Sequence, residues 1–244
     1  MARAAAMRSA AVAAECWDMA QESRRSFKKR QSKIEVIYSY GMVADPPVGR
    51  AARTHGALVE ATLARLRSDG SFTVDQVAAD AGVSVATIYN RFPEGRDGLL
   101  AAAFDRALDR VVDASTRPLT AEHLLDHGLE GTMSALVGGL AEAFTAEALV
   151  MRAALARLPE SRPLRDAYRR HEADARDANR RFVDLGQAAG RIIAGDPDEL
   201  ADVLVVMGQG INNPVLLGAT DRGRLCARLA DALVAVLDPG TEKP

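Results

Sequence analysis

An all-α fold is predicted, on three observations. Apolar residues make up 48% of the 244-residue chain and aromatics only 5%, a balance that points to an alanine-rich helical core. Beyond Thr116 the apolar residues recur at three- and four-residue spacing, and no stretch alternates as a half-buried strand does. Between Thr73 and Phe92 two short helical patterns stand on either side of Gly82, which reads as a helix-turn-helix. The expected organisation is an extension at residues 1–49, partly disordered or helical, a three-helix helix-turn-helix domain with its connecting helix at 50–112, and a C-terminal helical domain at 113–244.

The extension opens on an Ala/Arg-rich stretch and carries a basic cluster, Arg24, Arg25, Lys28, Lys29, Arg30 and Lys33, before Pro46 and Pro47. Its apolar segment is broken by Arg8 and runs into Glu15 and Asp18, so an export signal is not expected. The cluster has three readings: an arm on a phosphate backbone, a solvated tail, or a chain whose true start is Met42.

A first helix is predicted over residues 53–68, with Thr54 as a cap, Leu58, Val59, Thr62, Leu63 and Leu66 inward, and Gly70 at its end. Thr73 and Gln76 have the spacing of a capping box, and Val74, Val77, Ala78 and Ala81 form the apolar face of the second helix. Gly82 supplies the left-handed residue a sharp turn needs, and Val83 plugs the angle. Ser84 caps the third helix, whose buried side is Ile88 and Phe92. That leaves Val85, Ala86, Thr87, Tyr89 and Asn90 on its other faces, a set suited to a major groove: an amide for adenine edges, methyl groups for thymine, hydroxyls for phosphate. After Pro93 and Gly95 a fourth helix begins near Arg96, with Leu100, Phe104, Ala107, Leu108 and Val111 on one face.

At these positions the chain resembles the TetR family of bacterial repressors. The pattern is carried by Thr73, Val77, Ala78, Ala81, Gly82, Val83, Ser84, Thr87, Ile88, Tyr89, Phe92, Leu99 and Leu100, over roughly residues 53–112. Two positions depart from it: Arg91 stands where the family usually has His, and the turn before Leu99 is one residue longer, so that Arg96 takes the place of the usual Lys. The resemblance implies a dimer that grips a palindromic double-stranded DNA operator. Ser84, Thr87, Tyr89, Arg91 and Arg96 then position the protein through phosphates, Val85, Ala86 and Asn90 read bases, and Thr73 completes the DNA-binding set.

Net charge is -2, and the charge is uneven: residues 1–112 hold 16 Lys and Arg against 13 Asp and Glu, residues 113–244 hold 15 against 20. The basic excess lies on the reading side. Cys16 and Cys226 are too few for a disulfide framework or a zinc site, and no apolar run approaches a membrane span. A cytoplasmic protein without membrane contact is expected.

In the C-terminal half, breaks fall near Pro159, Pro163, Pro197, Pro214 and Gly218. Leu129, Met133, Leu136 and Leu140 mark one face of a helix that also carries Gly128, Gly131, Gly138 and Gly139, read as points of close packing. The longest helix is predicted over residues 164–193, with a seam of Tyr168, His171, Ala175, Ala178, Phe182, Leu185, Ala189 and Ile192. This seam is either a coiled-coil contact or a cavity wall; as a wall, Tyr168, His171 and Ala175 face an effector, with Met133, Phe144, Met151 and Met207 opposite. Asp196, Pro197 and Glu199 start the next helix, with Leu200, Val203, Leu204, Met207 and Ile211 on one face. A last helix presents Leu225, Leu229, Leu233, Val236 and Leu237. The two apolar faces serve either a homodimer interface or the chain's own core.

His123 and His127 share a helical face but lack a third ligand, and the sequence holds no His-Glu-x-x-His motif, phosphate loop or nucleophile elbow. No catalytic residue, metal or cofactor is expected. The function expected is a dimeric, ligand-responsive regulator of transcription released from DNA by a small-molecule effector; the alternatives are a regulator without a ligand and an all-helical enzyme that contains the motif.

Overall fold

The computed structural model describes residues 49–240. The basic cluster, Cys16 and Met42 lie outside the described residues. By its internal contacts the chain divides into two units, Met1–Arg53 and Thr54–Pro244. Of the first, residues 49–53 alone are described, at the opening of a helix; all other described residues belong to the second. Ten helices and no strand occur among the described residues.

Helix α1 (Arg50–Asp69) starts three residues earlier than the sequence suggests, so Thr54 sits inside it and does not cap it. It ends where expected, at Gly70, whose φ of 70° places it in the left-handed region. Leu58, Leu63 and Leu66 are fully buried, each contributing roughly 1.5–3 kcal/mol relative to exposure. Thr62 is buried between them and donates its hydroxyl to the Leu58 carbonyl at 2.8 Å. Against this brace lie α2 (Val74–Asp80) and α3 (Val85–Arg91), through Val77, Ala78, Ile88 and Phe92.

Helix α4 (Arg96–Thr116) runs from this reader into the body and buries Leu99, Leu100, Phe104, Ala107, Leu108 and Val111. Packed on it are α5 (Ala121–Ala146), α6 (Ala148–Arg157) and α7 (Arg162–Ala188). Of the outer helices, α8 (Pro197–Gly210) packs on α7, while α9 (Pro214–Leu217) and α10 (Arg222–Leu237) pack on α5.

Two details differ from expectation. Gly128 is a break, not a packing point: its φ of 68° and ψ of -178° interrupt α5. Gly139 does serve packing, since a Cβ there would stand 3.3 Å from the Ala114 carbonyl oxygen on α4. Helix α7 stops at Ala188, because Gly190 turns left-handed at φ 65° and the amides of Arg191 and Ile192 fold back onto the Gly186 carbonyl. Ile192 is still buried, but by covering Gly186 rather than by extending the seam.

The two apolar faces near the C-terminus are divided between core and surface. Leu204, Ile211, Leu233 and Leu237 close the chain's own core, whereas Val206 on α8 and Leu225 and Val236 on α10 stay exposed. No single helix among the described residues is long and apolar enough to cross a membrane. The pair α5 and α6 is apolar together but bends by 75° at Glu147.

Candidate nucleic-acid interface and effector cavity

The reader is set by short-range bonds. The Thr73 amide donates to Gln76 Oε1 at 2.8 Å and the Gln76 amide donates to Thr73 Oγ1 at 3.2 Å, a complete capping box. Gly82, at φ 64°, lets the Val83 amide reach the Ala78 carbonyl at 3.0 Å. The Thr87 amide then donates to Ser84 Oγ at 3.2 Å, and the two hydroxyls lie 2.9 Å apart. Because Ile88 is fully buried, the 100° step of a helix turns Ala86, Tyr89 and Asn90 outward. Val85 and Thr87 are half-buried, so the outward face is narrower than the sequence suggests. Ser84 and Arg91 flank it, exposed.

Tyr89 is 52% exposed, and one edge of its ring rests on Gly95: a Cβ at Gly95 would come within 2.7 Å of Tyr89 Cε1. Arg96, the first residue of α4, donates from Nε to the Phe72 carbonyl at 3.3 Å and lies over the Phe72 ring. Its charge is thereby held at the rim of the reader, near the amino end of a long helix where the macrodipole also favours an anion. Thr73 is exposed but its hydroxyl serves the cap. Arg65 grips Asp80 with two parallel bonds of 2.6 and 2.9 Å, which fixes α2 on α1 and holds the Asp80 carboxyl below the usual carboxylate range.

In the body a cavity of about 290 Å³ lies among α4, α5, α6, α7 and α8. Phe144, Met151, Tyr168, His171 and Ala175 line it. Met133 and Met207 do not: Met133 is sealed in the core, and Met207 lies in a separate acidic groove with Asp202, Val203 and Val206. The physical reason is rotation, since Gly208 lines the cavity and its neighbour Met207 points about 100° away. Glu172, Asn179 and Gln209 also line it and were missed by sequence reasoning, although 168, 172, 175 and 179 themselves keep a three-four spacing; their polarity hid them from a search for apolar periodicity.

His171 is nearly buried, with Nε2 2.9 Å from Asp105 Oδ1 on α4. Arg170 binds the same carboxylate oxygen at 2.7 Å. Ser115 also lines the cavity, but its hydroxyl donates to the Val112 carbonyl at 2.8 Å and not to the imidazole. The Tyr168 hydroxyl has its pKa pushed up by burial and by the Glu172 charge, so it stays protonated at neutral pH. His123 and His127 touch edge to face, and no group of three metal-ligating side chains forms among the described residues.

A third arrangement was not legible in the sequence. Glu147, only 2% exposed, receives Arg67 of α1 through two bonds of 3.1 and 2.6 Å and Arg110 of α4 at 2.7 Å. At the other end of α6, Arg157 binds Asp97, on the first turn of α4, at 3.0 Å. Met151 and Leu155, between these two anchors, face the cavity.

A capped two-helix reader with an outward second helix, set on a helical body, defines a helix-turn-helix DNA-binding protein. Residues 66–103 match the family model described as bacterial regulatory proteins, tetR family, which agrees with the resemblance carried by Thr73 to Phe92. The fold agrees. A TetR transcription regulator from Haloarcula marismortui superposes with a TM-score of 0.61 at 19% identity, over 77% of this chain and 99% of its own. A protein from Rhodococcus sp. proposed as a TetR-family transcriptional regulator gives 0.59 at 22%, over 75% and 98%. SmeT in complex with triclosan gives 0.56 at 20%, over 76% and 92%. No curated protein matches the sequence.

Proposed function

We propose that this regulator acts in the cytoplasm as a homodimer on a palindromic operator, and that a small molecule in the body cavity releases it from DNA. The observation that carries this reading is the mounting of α6. One helix supplies two cavity walls, Met151 and Leu155, and is bonded at each end to residues that hold the reader, Arg67 and Asp97. An occupant that displaces α6 therefore bears on the reader's position without touching DNA. Release requires only that the ligand prefer one arrangement, and a tenfold loss of DNA affinity corresponds to about 1.4 kcal/mol of coupling.

On DNA, Tyr89, Arg91, Arg96 and Ser84 serve as phosphate contacts, and Ala86 and Asn90 as the base-reading pair; Thr73, Val85 and Thr87 act mainly by holding the face in shape. The exposed Val206, Leu225 and Val236 supply the apolar surface for self-association. One structural relative, SmeT, is known with triclosan bound, which supports reading the equivalent body here as a receptor. The test is direct: small molecules carried through purification are identified by mass spectrometry, and each is added to a DNA-shift assay on sites selected from a random pool. Selection should recover a palindrome, and at least one molecule should weaken the shift. DNA binding that no copurifying or screened molecule alters points instead to a regulator without an effector.

A further inference from the structure

Resting on the reading of the cavity as an effector site, its hydrogen-bond inventory says what kind of molecule it takes. Among the described residues that line it there is no lysine or arginine, and Glu172, exposed at the mouth, is the one carboxylate. The polar side chains have donors partly engaged within the protein. Asn179 donates one amide hydrogen to the Ala175 carbonyl at 2.9 Å. Gln209 donates one to Glu172 Oε1 at 3.2 Å. His171 lies against a carboxylate at Nε2, so that nitrogen carries a hydrogen and is engaged with Asp105. Ser115 donates to its own helix. What these groups offer an occupant is therefore a mixture of donors and acceptors, with one carboxylate and no lysine or arginine beside it. Tyr168 and Asn212 can act either way and do not change the balance.

We infer that the cavity binds a protonated amine on an apolar body. A carboxylate or phosphate would enter beside Glu172 with no lysine or arginine in the lining to meet it, and a neutral molecule would gain nothing from the Glu172 charge, whereas an ammonium would gain a charge-assisted hydrogen bond. The Tyr168 and Phe144 rings add apolar walls whose faces also favour a cation. The volume, about twice the roughly 150 Å³ that holds one benzene in another protein, suits on the order of a dozen heavy atoms.

The probes are phenylbutylamine, phenylbutanol and phenylbutanoate, matched in shape and differing in charge, titrated calorimetrically into the full-length protein. The amine should bind roughly tenfold or more tightly than either of the others, the margin of one charged hydrogen bond. Glu172→Gln, a change at an exposed position, should bring the amine to within about threefold of the alcohol while leaving the alcohol's affinity unchanged. Ala175→Phe, which fills the space, should abolish binding of all three. Equal or tighter binding of the carboxylate, an amine preference that survives in E172Q, or no binding of the amine at millimolar concentration overturns the inference. Should the amine bind with the stated preference and yet leave the protein on selected DNA, the inference stands and the effector reading of the cavity falls.

Discussion

The reader and the body are held by different chemistry. Helix α3 takes part in no ion pair among the described residues, and the hydrogen bonds between Ser84 and Thr87 lie within the turn that caps it. Helix α7, by contrast, is laced to its neighbours: Arg170 to Asp105 on α4, Arg176 to Asp202 and Arg180 to Asp198 on α8. Each such exposed pair contributes little by itself, about 0–1 kcal/mol. The contrast lies in what each surface must do. A face meant for the phosphates and base edges of another molecule gains by keeping its groups uncommitted, whereas a wall that must keep a cavity open gains from many weak ties.

Glu147 is where the two regions meet, and removing it should have the largest effect. In Glu147→Ala, Arg67 and Arg110 lose their shared partner; both are about a third exposed and rehydrate in part, so the stability lost should be about 1–3 kcal/mol, not the larger penalty of a fully buried ion. Urea unfolding measures that loss. The sharper readout is coupling: E147A should still bind selected DNA but respond much less to an effector. A full response in a folded E147A protein would show that the reader is governed through α4 alone.

Sequence distance explains why the reader was legible and this junction was not. Thr73, Gly82 and Ser84 act on residues one to four positions away, so their chemistry is written in adjacent letters. Glu147 pairs with a residue 80 positions earlier, and His171 with Asp105 across 66; no local pattern announces either. The cavity was half legible for a related reason. Periodicity put Tyr168, His171 and Ala175 on the right face of α7, but the facing walls come from other helices, whose rotation about their own axes decides between Met207 and Gly208. The end of α7 was open to a better reading, since Gly190 is where a left-handed stop would be expected.

Within the reader, the division between positioning and reading is tested by Asn90→Ala. This change should relax preference at one position per half-site, by roughly 1–3 kcal/mol, with the salt dependence of binding unchanged. Arg96→Ala should do the reverse, weakening binding across all sequences and lowering the salt slope by about one. Sequence selection followed by titration at several salt concentrations separates the two. An identical selection profile for N90A and the parent removes Asn90 from the base-reading face.

The smallest effect should come from the Arg65 and Asp80 clamp, an interhelical ion pair within the reader. Hydrogen bonding to Arg65 holds the Asp80 carboxyl below its ordinary value, so the folded state binds that proton less readily than the unfolded chain does. Such a group stabilises the fold above its unfolded pKa, about 3.9, and loses that contribution as pH falls through the lower folded value. Asp80→Asn removes the charge at every pH. The parent should therefore unfold at a slightly higher urea concentration than D80N at pH 5, and the gap should narrow as the solution is acidified below about pH 3.9. High salt should narrow it as well, because the pair is partly exposed. A gap of unchanged size across that pH range would mean that the pair orients α2 through its geometry and not through its charge.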